Sequence, residues 1–157
     1  MDPQTAEAFR RIPYGIYVLT AQSGAETPAM IVSWVSQVSY SPPLLMVALR
    51  HNRPALPMIQ DRGIFSLSLL GRDQKPLVEH LKKPTSQRQL SDLFGQTTLK
   101  GPSIIKQAVA TWECRLFSHM EAGDHTLLIG EVRSTMVNPE GKPLTTADYG
   151  KTYIGQS

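Results

Sequence analysis

Two long β-prone runs, residues 111–120 and 126–137, are separated by only five residues, Glu121-Ala122-Gly123-Asp124-His125. A connection that short joins antiparallel neighbours and leaves no room for the crossover helix that parallel strands need. Four more strands are predicted upstream: residues 14–21 (Y-G-I-Y-V-L-T-A), the stretch from Met30 through Ser39, residues 44–49 and residues 63–70 (G-I-F-S-L-S-L-L). Six or seven strands with only short interruptions favour an antiparallel barrel with small peripheral helices over a parallel α/β sheet. Neither GxGxxG nor a P-loop occurs, so neither phosphate-binding fingerprint of the α/β folds is present.

The interruptions carry helix and turn signals. Asp2 can cap a first helix with Pro3 in its first turn, running to about Arg11, where Ile12-Pro13 ends it. Ser23-Gly24-Ala25 reads as a turn. Residues 54–61 form a short helix anchored by Leu56 and Ile59, and residues 73–83 an amphipathic one with Leu77, Val78 and Leu81 inward. Residues 84–101 form a polar connection anchored only by Leu90, Leu93 and Phe94. Pro102-Ser103 is expected to cap another short helix reaching Val109. Beyond the last strand, residues 138–141 turn the chain into a tail carrying Tyr149 and Tyr153.

Composition excludes several classes. A chain of 157 residues with 41% hydrophobic and 18% charged residues is expected to be one globular domain, 1–157. The net charge of +3 is dispersed and forms no continuous basic stripe, which argues against nucleic acid. No apolar run approaches membrane-spanning length and the N-terminus lacks the regions of a signal peptide, so the cytoplasm is the expected compartment. The single Cys114 rules out an intrachain disulfide and a cysteine-based metal cluster. It alternates with Trp112 and Leu116 and reads as a buried small hydrophobe.

The chemistry-bearing candidates fall in three places. In the Met30–Ser39 run, Met30, Val32, Trp34, Ser36 and Val38 would share one face, with Ile31, Ser33, Val35, Gln37 and Ser39 on the other. Hydroxyls and an amide on both faces suit either a surface for a flat, polar-edged ligand or an outer strand with incidental serines. Pro42 and Pro43 then stop ladder pairing. His51-Asn52-Arg53 precedes a helix start, where free N–H groups and a guanidinium could take an anion, or Asn52 could simply cap a solvated turn. His119, Asp124 and His125 match no standard metal-ligand spacing, so no metal is expected. His125 is either functional at a barrel mouth or a solvated turn residue.

Taken in order, P-Y-G-I-Y-V-L-T-A, A-M-I-V-S-W-V-S-Q-V-S-Y-S-P-P-L, R-H-N-R, L-S-D-L-F, G-P-S-I-I-K-Q-A-V-A-T-W-E-C-R-L and A-G-D-H-T-L-L-I-G-E-V resemble the flavin reductase-like, FMN-binding split β-barrel family from about Phe9 to Gly155. The kinship looks strongest with the reductase module of diflavin flavoproteins and with flavoredoxins. Pro54 and Pro57 depart from the family's phosphate-side helix. The resemblance implies FMN, or FAD, as cofactor. Met30, Ser33, Trp34, Val35, Ser36, Gln37 and Ser39 would lie along the flavin ring. His51, Asn52 and Arg53 would take its phosphate, His125 would stand near the nicotinamide, and Tyr149 or Tyr153 would cover the site. It further implies hydride transfer from NADH or NADPH to flavin, electron delivery to free flavin or an acceptor protein, and a homodimer. The other class of function left open is a flavin-binding electron carrier without NAD(P)H activity of its own.

Overall fold

Antiparallel pairing governs the architecture throughout. A computed structural model of the protein describes residues 1–22, 27–83, 90–95 and 97–151. The strands are β1 (Tyr17–Thr20), β2 (Ala29–Val32), β3 (Val35–Ser39), β4 (Leu44–Arg50), β5 (Ile64–Leu69), β6 (Phe94–Gly95), β7 (Ile104–Ile105), β8 (Ala110–Ala122) and β9 (His125–Val137). Seven of them form one sheet in the order β2-β1-β5-β8-β9-β4-β3, and β6 pairs with β7 in a separate ribbon. Helices α1 (Pro3–Arg10), α2 (Ala55–Arg62), α3 (Lys75–Lys82) and α4 (Thr146–Tyr149) are short. The sheet is mainly antiparallel β with peripheral helices, as the spacing predicts, and curls without closing into the split-barrel form. The predicted turn at Ser23-Gly24-Ala25 lies outside the described residues.

The two sheet edges explain the split. β2 and β3 occupy opposite ends of the strand order, yet only Ser33 and Trp34 separate them in sequence. The predicted single strand from Met30 to Ser39 is therefore two strands, and its simple two-face alternation is corrected here. Val35 N–H donates to Ser33 O at 3.0 Å, a three-residue turn that re-aims the chain, and Trp34 O accepts from Ala48 N–H at 3.0 Å to fasten it to β4. A Ser-Trp pair carries no turn signal of its own; tertiary pairing imposes the break.

A second correction concerns residues 102–109, which form no helix. Ile104 and Ile105 instead make β7, both 2% exposed. The hydroxyls that alternate along β5 account for this. Ser66 Oγ donates to Pro102 O at 2.8 Å, and Ser68 Oγ accepts from Ile105 N–H at 3.0 Å. The serines thus supply the partners a helix would otherwise provide for this buried backbone. They face a covering segment of chain where the sequence pattern alone would place solvent.

Other elements follow their local signals. Asp2 caps α1 through Thr5 N–H at 3.0 Å, and Gly63 ends α2 in the left-handed region at φ +69°. Leu56 and Ile59 on α2, and Leu77, Val78 and Leu81 on α3, are buried as their spacing predicts. The predicted strand at 14–21 shortens to β1. β8 and β9 turn through Gly123-Asp124 alone, with Gly123 at φ +64°, so that His125 begins β9. The core divides between a cluster inside the barrel around Leu19, Val47, Phe65, Leu67, Cys114 and Leu128, and one beneath α3 around Val18, Leu70, Val78 and Leu144.

Candidate functional site

A cleft of about 500 Å³ opens where the two sheet edges meet. Its apolar floor comes from Met30, Ile31 and Val32 of β2 and from Ala48 and Leu49 of β4. The Ser33–Trp34 crossing and His125 form one wall; Val78, Leu81 and Lys82 of α3 and Thr146 and Tyr149 of α4 form the other. Arg50, Arg53 and Lys151 bring cations to its lining.

The Trp34 and His125 rings lie 4.7 Å apart between centroids, tilted by 33°. His125 is 8% exposed at its side chain, and its Nδ1 is 2.6 Å from Asp124 Oδ1. That hydrogen bond, with Arg50 adding to it, holds the Asp124 carboxyl below the usual carboxylate range. The Arg53 side chain is exposed, and its guanidinium makes no hydrogen bond or ion pair among the described residues; only its backbone is engaged, by Arg50 and Leu56. On the opposite wall the Tyr149 hydroxyl meets Glu79 and Lys82, with the Lys82 ammonium 4.6 Å from the ring centroid.

The structure thus gathers Met30, Ser33, Trp34, Arg53, His125 and Tyr149 around one cavity. Val35, Ser36, Gln37 and Ser39 lie on β3, paired with β4 outside the cleft lining, and Ser36 and Gln37 are exposed. His51 points its Nε2 to Glu121 at 2.6 Å, and neither it nor Asn52 lines the cleft. Tyr153 lies outside the described residues. Sequence reasoning missed Arg50, Lys82 and Lys151 as lining groups. For Arg50 the signal was available, since a strand ending in arginine just before His51-Asn52-Arg53 extends the same basic run.

Cys114 is free, 2% exposed and part of the core, and burial pushes its thiol up to about 12, so it is an inert packing group.

Residues 9–155 match the flavin reductase like domain. The chain belongs to that family. Among curated relatives of this flavin reductase-like chain, Diflavin flavoprotein A 1 of Synechocystis sp. is 33% identical over 87% of the chain, which spans only 24% of that longer protein. The reductase component of 4-hydroxyphenylacetate 3-monooxygenase from Thermus thermophilus is 30% identical, over 88% of this chain and 87% of its own. Among solved structures, the NADH:FAD oxidoreductase SgcE6 of Streptomyces globisporus C-1027 superposes with a TM-score of 0.83 at 26% identity, covering 92% of this chain and 90% of its own. That protein has also been solved in complex with NAD and FAD fragments.

The residues present fit a flavin. Its tricyclic ring is flat, with apolar faces and a polar edge, and its tail ends in phosphate. The cleft has the volume of a typical small-molecule site, an aliphatic floor, an aromatic wall and a guanidinium, that of Arg53, unpaired among the described residues.

Proposed function

We propose that this flavin reductase-like protein binds FMN in the cleft and oxidises NADH or NADPH, passing electrons to free flavin or to a partner protein. One observation carries the reading: the aromatic wall of Trp34 and His125 shares a single cavity with Arg50 and Arg53. Bound flavin supplies the hydride-accepting centre, so the protein needs no nucleophile or metal of its own. Trp34 and the β2 floor orient a flat ring and exclude water. Arg53 supplies a planar fork for phosphate oxygens at low desolvation cost, because it is exposed. His125 would stand near the nicotinamide, and Tyr149, which lines the same cleft, would cover the site. The NAD and FAD fragments bound by SgcE6, and the reductase role in the name of the Thermus relative, support transfer to flavin and on to a partner.

We also propose a homodimer. The β3 edge, the residue after it and the outer half of β8 leave Val38, Tyr40, Phe117 and Met120 at least half exposed, apolar side chains that a second copy of the chain would cover.

The test is spectroscopic. Protein titrated with FMN is expected to quench flavin fluorescence, and anaerobic NADH or NADPH to bleach the bound chromophore. Flavin binding with no bleaching by either nucleotide would assign the chain to carriers reduced by another protein. No change in FMN fluorescence would remove the flavin reading altogether.

A further inference from the structure

Strand register brings a cation, an imidazole and a carboxylate together at the mouth of the cleft. Arg50 ends β4 directly opposite His125, the first residue of β9. Asp124, one residue earlier, sets one carboxylate oxygen 2.6 Å from His125 Nδ1 and the other 3.6 Å from Arg50 Nε. Trp34 lies along the imidazole face. The carboxylate stands in solvent while the ring is in the wall, at side-chain exposures of 68% and 8%. Glu121, the other acidic group of this hairpin, is already engaged by His51 and by the Thr126 hydroxyl.

A carboxylate accepts and cannot donate, so this hydrogen bond puts the proton of the neutral ring on Nδ1. Nε2 then carries a lone pair, and it makes no hydrogen bond among the described residues. We propose that Asp124 is a positioning residue, holding His125 as its Nδ1–H tautomer so that Nε2 accepts a hydrogen bond from the amide group of a nicotinamide nucleotide. This rests on the reading of the cleft as a flavin–nicotinamide site. Free imidazole side chains prefer the opposite tautomer, which would set N–H against N–H at that contact. Arg50 Nε, 3.6 Å from the second carboxylate oxygen, forms a solvent-accessible ion pair that favours the orientation in which Asp124 presents the first.

The experiment combines ring nitrogen-15 spectra with steady-state kinetics on the full chain. At a pH where imidazole is neutral, His125 is expected to carry its proton on Nδ1, and Asp124→Ala to move it to Nε2. Asp124→Ala is expected to raise the KM for NADH by roughly tenfold while leaving FMN affinity unchanged. Asp124→Ala combined with His125→Ala is expected to be no worse than His125→Ala alone, because the carboxylate acts through the ring. A wild-type ring protonated on Nε2, or losses that add in the double variant, overturns the proposal. NADH kinetics untouched by His125→Ala overturn the placement of the nicotinamide, and the ring spectrum still reports whether Asp124 sets the tautomer.

Discussion

An ideal Cβ built on Gly130 would lie 2.4 Å from Phe65 Cζ and 2.9 Å from Cys114 Cβ. Phe65 is 1% exposed, so its ring has no free space to yield. Gly130→Ala is therefore expected to destabilise the fold by about 1–3 kcal/mol, seen as a lowered denaturant midpoint at unchanged slope. Arg53 is the residue-scale test of the ligand. Arg53→Ala should weaken FMN by about 1.5–3 kcal/mol if the lost bonds are charge-assisted, and riboflavin, which lacks the phosphate, much less. Equal losses in fluorescence titrations with the two flavins would move the phosphate elsewhere. Single residues with unambiguous chemistry were readable: the Leu56 and Ile59 anchors, and Cys114 as core. Which residues of the run from 30 to 39 line the cleft was legible only for Met30, Ser33 and Trp34. That depends on the Ser33–Trp34 turn, which moves β3 to the other edge and carries Ser36 and Gln37 away from Met30.

Element by element, the stretch from 97 to 109, whose second part from 102 forms β7 in place of the expected helix, is held by side chains far away in sequence. The Glu113 carboxylate on β8 is 4% exposed and accepts from Thr98 N–H and Leu99 N–H, each at 2.8 Å. Glu113→Gln keeps the shape but replaces one acceptor oxygen with a donor facing an N–H. It should accelerate amide hydrogen exchange at Thr98 and Leu99 and lower stability by about 1–3 kcal/mol. Helix α4 offers a pH-dependent counterpart. The Thr145 hydroxyl, with further help from its backbone N–H and from Arg72, holds the Asp148 carboxyl below its ordinary 3.8. A depressed folded value means that this contribution is complete above pH 3.8 and is lost as acid carries the pH through the lowered value. The stability gap between wild type and Asp148→Asn is accordingly expected to close between about pH 5 and pH 2 in urea titrations. Periodicity located α3 and the β8–β9 hairpin because each satisfies its own hydrogen bonds or those of its neighbour in sequence. It failed at β7, whose partners are Phe94–Gly95 and Ser68 of β5.

For the whole molecule, the proposed homodimer predicts a molar mass by sedimentation equilibrium twice that of one chain, and Phe117→Glu should shift it towards the monomer without unfolding the barrel. A wild-type monomer that binds FMN as tightly as expected would exclude a shared site. The strand order carries one more consequence. β8 and β9 lie at the middle of the sheet, between β5 on one side and β4 on the other, yet they are the last of its strands in sequence. Before β8 and β9 are made, the pairing partners present during synthesis form two ribbons, β2-β1-β5 and β3-β4, with no strand pairing between them, each with a bare edge awaiting a central partner. Productive folding has to wait for residues beyond 110, and the interval is one in which exposed edges are vulnerable to pairing with other nascent chains. Nascent-chain lengths ending before β9 should stay protease-sensitive and depend on chaperones, with protection arriving abruptly once Val137 has cleared the exit tunnel.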